Sequence, residues 1–362
     1  KAEALDSSYP PMLLGNILRA WGHPIDAAAC FAKVRALLPH MADAYASEAM
    51  ARMQTGDMEE GLKFWEKRPD LSTEKTKLPS WTGENVSTLL LYEDQGLGDA
   101  LQFLRYIPTL TKRANRLILR IREPLVDLCK FNFPDVEVLP ETSPEPPADA
   151  RCRLSSLPYY FATRLNNIPP APYLKAPDHT LWLERLGGLQ KPRIGLVWAG
   201  NAKFKNDATR SIDFRKLAPL LSFGAAHFVS LQKERPGPSP ILEIMDAASQ
   251  LNSFSDTAAL IAELDLVISV DTATAHLAGA LGKPVFILLP FNSDWRWLIE
   301  REDSPWYASA RLFRQKKPGD WDDTIMRAAI EVGKFIIGDS GVLRAAPWKG
   351  ENLRQNPNAL PL

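Results

Sequence analysis

Residues 264–289 read LDLVISVDTATAHLAGALGKPVFILL. A continuous apolar run ends at Asp271, a small-residue helical stretch follows, and Gly282 and Pro284 stop it before a second apolar run. Strands that are apolar without alternation are buried on both faces, so this is the strand–helix–strand unit of a parallel sheet. The unit recurs. IGLVW (194–198) and HFVSL (227–231) come before it, and helical patterns near 213–223, 240–249, 255–263 and 274–281 separate the strands. An earlier series has apolar runs at 88–92, 117–121 and 136–139, with a helix-like stretch near 99–113. Pro-rich 140–147 and 168–177 interrupt the pattern before the second series begins at Pro192. The sequence therefore predicts two facing doubly wound α/β domains with a cleft between them. Ligands of such sheets bind beyond the carboxyl ends of the strands.

The informative residues cluster at those ends. After the 88–92 run the chain reads YEDQGLGDALQFLRY (92–106). Gly96 and Gly98 permit positive φ and close backbone approach, and Asp99 falls at or beside a helix start. No Gly-Lys-Ser/Thr follows, and Leu101 stands where the third glycine of a dinucleotide fingerprint belongs, so both of those phosphate loops are excluded. Asp99 is then either an N-cap, contributing about 1 kcal/mol, or a general base at the cleft edge.

In the 264–289 unit, Asp271 sits at the strand end, Thr272 or Thr274 can cap the helix, and His276 lies in the first turn. The free N–H groups of a helix start suit an anion. The alternative for His276 is a helix-surface or core histidine satisfied by a carbonyl. The loop after IGLVW carries Gly200, Asn201, Lys203, Lys205 and Arg210, cations suited to a diphosphate or a solvated charged loop offset by Asp207. Gln232 and Lys233 end another strand. Beyond the last apolar run, PFNSDWRWLIEREDSPWY offers Asp294, Arg296, Arg301 and three tryptophans, either for packing or for a sugar-sized pocket. Asp320, Asp322 and Asp323 surround Trp321 and read as helix caps. No metal site is expected.

The bulk numbers bound these readings. The chain has 362 residues, 45% hydrophobic and 24% charged, an ordinary globular composition with room for two or three domains. Lys plus Arg and Asp plus Glu both total 43. The absent basic excess argues against a nucleic-acid partner. Cys30, Cys129 and Cys152 are scattered, as reduced thiols in a cytosolic protein would be. No run approaches the roughly 18 apolar residues of a membrane span. The chain opens at Lys1 with no methionine or signal-like segment, as a fragment does, and cytoplasm is the default reading.

Before residue 70 the pattern is helical and echoes itself at 34 residues. Gly22 maps to Gly56, Ala27 to Gly61 and Phe31 to Trp65, with Leu14, Gly15, Leu18 and Pro39 in the first copy. This resembles the tetratricopeptide repeat, about two copies within 8–69. Glu48 and Arg52 stand where apolar residues are expected. Two repeats bury little surface alone, so they should dock on the next domain or continue an array.

Taken together, EDQGLGDALQFLRY, IGLVWAGN with RSI, FVSLQK, DLVISVDTATAHLAGALGKPV and DWRWLIEREDSPWY with LFRQKKPGDW resemble bacterial proteins in which tetratricopeptide repeats are fused to a heptosyltransferase-like glycosyltransferase of family 9. The resemblance covers residues 81 to about 335. It implies the GT-B architecture, two Rossmann-like domains, and metal-independent transfer from a nucleotide-diphosphate sugar, with no cofactor. The implied division is 1–72 repeat helices, 73–185 acceptor-side domain, 186–338 nucleotide-sugar domain and 339–362 tail. Asp99 matches the family's proposed catalytic base, and its helix dipole is expected to lower its pKa. Asp271, Thr272, Ala273 and His276 match the segment that holds the donor. Arg210 is the best candidate for the diphosphate, with Lys203 and Lys205 beside it. Gly96, Gly98, Asn201, Gln232, Lys233, Asp294 and Arg296 complete the expected set. The loop after VWAGN departs from the heptosyltransferase pattern and leaves the donor sugar open. A protein acceptor held by the repeats, or a glycan or lipid, is the implied partner. An epimerase-like isomerase and a non-catalytic scaffold on the same architecture are the alternatives.

Overall fold

The computed structural model describes residues 2–69, 78–204, 206–233 and 244–345, with side chains from Pro10 onward. Lys205, residues 70–77, residues 240–243 of an expected helix and the tail from 346 lie outside the described residues.

Helices α1 (Ala2–Ala20), α2 (Pro24–Leu37), α3 (Ala42–Gln54) and α4 (Met58–Trp65) come first, each packed on the next. The α1–α2 and α3–α4 turns each contain a glycine at positive φ, Gly22 at 82° and Gly56 at 85°. Small residues set the helix spacing. A Cβ on Gly15 would stand 2.6 Å from the Phe31 ring, and one on Gly61 would stand 2.4 Å from Met53. The region is a run of helical hairpins, and its geometry alone does not single out the tetratricopeptide family.

Glu48 interrupts the apolar echo for a reason visible in three dimensions. It is fully buried, and its carboxylate accepts from Arg35 Nε at 2.8 Å and Arg52 Nε at 2.9 Å. Both guanidiniums also lie against the Phe64 ring. The helices dock, as two short hairpins must. Tyr45, Met53, Leu62 and Phe64 share one apolar core with the first sheet. Arg68, just after α4, reaches Asp94 at 2.8 Å and the Ser155 hydroxyl at 2.5 Å.

Two parallel sheets follow. β1 (Val86–Tyr92), β2 (Ala114–Ile121), β3 (Glu137–Pro140) and β4 (Ala150–Arg153) lie in the order β3-β2-β1-β4. β5 (Arg193–Val197), β6 (His227–Ser230), β7 (Met245–Asp246), β8 (Leu266–Val270), β9 (Val285–Leu289) and β10 (Ala310–Arg314) lie in the order β10-β9-β8-β5-β6-β7. All the pairings within the two sheets are parallel. From β5 the chain winds outward to β7, then returns to β8 and winds the other way. That is the doubly wound order, and its switch point lies between β5 and β8. The first sheet has the same kind of reversal between β1 and β4.

The sequence expectation fails in one helix. Where 240–249 should be helical, Met245–Asp246 adds an edge strand beside β6 and Ala248–Gln250 forms a 3-10 turn. Ala247 N–H donates to the Ser230 carbonyl at 3.1 Å, so sheet pairing takes the backbone bonds a helix would have used. The helix Glu123–Asn132 and the strands β4 and β10 have no counterpart in the sequence reading.

Candidate functional site

The two switch points face each other. After β1, the chain turns through Glu93 to Gly96 into helix α5 (Leu97–Phe103). Gly96 is the N-cap residue, and Asp99, three residues on, accepts from the Gly96 N–H at 2.8 Å through Oδ2. Asp99 is therefore not the N-cap itself. Neither glycine takes positive φ, contrary to expectation: Gly96 has φ −78°. The need for glycine is steric instead. A Cβ at Gly98 would come 2.8 Å from His276 Cδ2 and 3.4 Å from the Ala273 Cα. Gly98 thus lets α5 of the first lobe lie against the helix Ala273–Ala280 of the second.

Of the two threonines the sequence offers, Thr272 stands at the N-cap position of that helix, with φ −138° and ψ 169°, extended. The Thr272 side chain makes no cap bond; its hydroxyl pairs with Ser269 Oγ at 3.0 Å. Gly282 ends the segment at φ 72°. His276 is buried, with Nδ1 2.9 Å from the Tyr307 hydroxyl and Nε2 3.9 Å from Asp271 Oδ1. Its ring stacks on Trp297, with centroids 5.2 Å apart. Burial, reinforced by Arg296, Arg105 and Arg210, holds its pKa well below the usual histidine range, so the ring is neutral.

Arg296 joins the lobes. Its guanidinium donates to Asp99 Oδ1, to Gln102 Oε1 on α5, and to Asp294 Oδ1 at 2.8 Å. The Arg296 side chain is 7% exposed and that of Asp99 is 25% exposed. Burial raises the Asp99 carboxyl above its ordinary value, with Arg296 opposing and Asp294 adding to the rise. This reverses the expected lowering: a helix dipole contributes a fraction of the cost of removing a carboxylate from water. Asp271 is pushed up to about 6 by burial and by the charge of Asp294.

The second switch point is closed by Arg210. It donates to Asp207 Oδ1 at 2.9 Å and to the Asp271 carbonyl at 2.8 Å, packing where a Cβ on Gly200 would be. Gln232 is buried, and its amide is engaged with the backbone. Oε1 accepts from the Trp198 and Ala199 N–H groups, and Nε2 donates to the Ala199 carbonyl. It clamps the end of β5. Asn201 and Lys203 are exposed, in a turn closed by the Lys203 N–H donating to Asn201 Oδ1. Lys233 is exposed beside Ser253, Thr257 and Thr274, with Pro124 of the first lobe across a small depression. The tryptophans pack: Trp295, Trp297 and Trp306 are all buried.

Three contributors have no counterpart in the expected set. Gln102 holds Arg296. Arg105 binds the Trp306 carbonyl at 3.1 Å and lies over the Tyr173, Trp306 and Tyr307 rings. Arg314 ends β10. All three act across elements far apart in sequence. A signal existed only for Arg314, the first polar residue after an apolar pair. Among the described residues no group of three or more His, Cys, Asp or Glu could hold a metal ion. No helix among them is long and apolar enough to cross a membrane.

The chain is similar to several known proteins. Protein FlbA of Caulobacter vibrioides is 29% identical over 339 residues, covering 80% of this chain and 54% of that protein. The chain thus spans about half the length of the curated relative it matches. A glycosyl transferase family 9 structure from Veillonella parvula is 12% identical, covers 71% of this chain and 98% of its own, and gives a TM-score of 0.49. The E. coli ADP-heptose lps heptosyltransferase II is 13% identical, covers 69% and 98%, and gives 0.48. Residues 247–297, which contain Asp271, Thr272, His276, Asp294 and Arg296, match the family described as Glycosyltransferase family 9 (heptosyltransferase).

Proposed function

We propose that this chain is a metal-independent glycosyltransferase of the GT-B kind. It moves a sugar from a nucleotide-diphosphate donor to a hydroxyl of a protein, glycan or lipid acceptor. The observation that carries the reading is the meeting of Asp99 from one lobe with Asp294, Arg296 and the Asp271–His276 turn of the other. Two sequence motifs, ending at Asp99 and beginning at Asp271, converge on one cleft, at the strand ends where such folds bind ligands.

Asp99 is the base. Its two oxygens are held by the Gly96 N–H and Arg296, and each keeps a second lone pair for an acceptor hydroxyl. Arg296 keeps the carboxylate charged while burial raises its basicity, a compromise suited to taking a proton near neutral pH. The leaving diphosphate meets the N–H groups at the start of Ala273–Ala280 and the Arg210 guanidinium, which bear the charge a divalent ion bears in other enzymes. Neutral His276 and Asp271 hold sugar hydroxyls. The α1–α4 helices, read as tetratricopeptide-like, hold a polypeptide acceptor, and a cytoplasmic setting goes with nucleotide-sugar chemistry.

A panel of nucleotide sugars tests the donor site through thermal stabilisation, because a ligand at a hundred times its Kd adds about 2.7 kcal/mol. One nucleotide class should raise Tm by several degrees. A panel without any stabilising member contradicts the reading. The same Arg296 pair supports a second reading, a scaffold whose carboxylate is permanently neutralised. Donor binding without transfer or hydrolysis would select it.

A further inference from the structure

The sequence assigns anion binding to the loop after β5, but Lys203 of that loop is exposed, and a different cation stands at the strand ends. β10 finishes at Arg314, in register with Leu289 at the end of β9. Its guanidinium donates to Ser293 Oγ and, at 3.1 Å, to the Trp297 carbonyl. Those partners sit on the loop that delivers Asp294 and Arg296. The loop is held from the other side by the helices, where Gln54 Nε2 donates to the Ser293 carbonyl at 3.1 Å.

Arg105 donates to the Gln102, Pro169 and Trp306 carbonyls and lies against three aromatic rings, and two other arginines of the cleft have their charge answered. Arg296 has Asp99 and Asp294, and Arg210 has Asp207. Both partners of Arg314 are neutral, and they engage two of its five N–H donors. Burial lowers its pKa to about 10, against the favourable charge of Asp271. Asp271, in turn, is pushed up by burial. A guanidinium and a carboxylate within electrostatic reach, both disfavoured in their charged forms, nevertheless form no direct pair. A ligand with an oxyanion at one end and hydroxyl donors at the other would satisfy both. The planar fork of arginine suits phosphate oxygens better than a lysine point charge does.

We infer that Arg314 is an oxyanion-binding residue of the cleft, taking a phosphoryl group while Asp271 accepts hydroxyl groups of the same sugar phosphate. The inference rests on the donor-site reading above and assigns its phosphate contact to β10.

The test uses the full chain with inorganic pyrophosphate and, separately, the nucleotide sugar that stabilises it best. Titration calorimetry compares wild type with Arg314→Gln, Arg314→Lys and, at an exposed lysine remote from the cleft, Lys334→Gln, each checked for folding by its unliganded Tm. Arg314→Gln should lose at least tenfold in affinity for both ligands, Arg314→Lys should lose less, and Lys334→Gln should stay within twofold. Since Arg314→Gln could loosen the 293–297 loop, wild-type crystals soaked in pyrophosphate supply a second readout, with phosphate oxygens expected on the Arg314 guanidinium. Pyrophosphate lodged elsewhere, or unchanged affinity in a folded Arg314→Gln protein, overturns the inference. Undiminished nucleotide-sugar binding by Arg314→Gln leaves the transferase reading standing. Conversely, pyrophosphate binding at Arg314 with no nucleotide sugar bound keeps the site and removes the transferase.

Discussion

Asp99 and Arg296 form an ion pair across the cleft, and the same guanidinium is shared with Asp294 and with Gln102 on the helix of Asp99. The pair fixes where the two lobes stand relative to each other, so its loss should be felt in stability as well as chemistry. Removing one partner of a buried pair costs about 3–5 kcal/mol. Asp99 keeps a quarter of its side-chain exposure, which lowers the expectation for Arg296→Met to about 2–4 kcal/mol. Asp99→Asn should cost less, because an amide needs no counter-charge. Denaturant titration of the two variants and their double mutant gives the coupling; strict additivity would contradict the pair's role.

Asp271 makes a prediction about pH. Its carboxyl is raised to about 6 in the folded chain, against roughly 4 unfolded. The native state therefore binds the extra proton between those values, and unfolding free energy falls as pH rises through that window. Asp271→Asn removes the penalty. Relative to wild type, the variant should gain up to about 3 kcal/mol at pH 7 to 8 and almost nothing at pH 4. Because neutral His276 acts in the opposite sense as pH falls, the quantity to follow is the difference between the variant and wild type. A pH-independent difference would contradict this account.

Gly98 is a packing requirement. A methyl there meets His276 Cδ2 at 2.8 Å, with the Ala273 backbone behind it. Alanine gains at most about 1 kcal/mol of helix propensity, whereas forced separation of packed helices costs about 1–3 kcal/mol. Gly98→Ala should lower stability on balance and weaken donor binding by displacing the His276 helix. Scanning calorimetry and nucleotide-sugar affinity check the two effects; a more stable variant with full affinity would contradict the close approach.

A polypeptide acceptor predicts a separation of activities. α1 and the turn after it leave Leu13, Ile17 and Trp21 at 49%, 47% and 67% exposure. Deleting the helices is a poor test, since Met53 and Phe64 belong to the core of the first lobe. The double substitution Ile17→Glu with Trp21→Glu keeps that core. Transfer to protein should fall at least tenfold while donor hydrolysis stays within twofold, measured side by side. Unchanged protein modification would remove the helices from acceptor binding.

The strands that define both sheets were legible because burial on two faces leaves an unmistakable apolar run, as in Leu266–Val270 and Val285–Leu289. β4 was not, because Ala150–Arg153 carries two arginines and lies between prolines and turns. The GLGD and DTATAH ends were legible as strand-to-helix turns, but their meeting through Gly98 and His276 was not. No local pattern records which helix lies opposite a glycine. Asp99 shows the same limit in its energetics. Sequence position alone implies a depressed pKa from the helix dipole, whereas burial beside Arg296, 197 residues away, sets the sign. Gln232 reads as a strand-end ligand, and nothing local in sequence announces that its amide bridges the end of β5.

The most direct test of the central claim compares Asp99→Asn with wild type in donor binding and in turnover with the identified donor and acceptor. A general base contributes about 10²–10⁴-fold. The account predicts a loss of that size in turnover, with donor affinity within a few-fold of wild type. Turnover near the wild-type rate, with donor still bound, would contradict it.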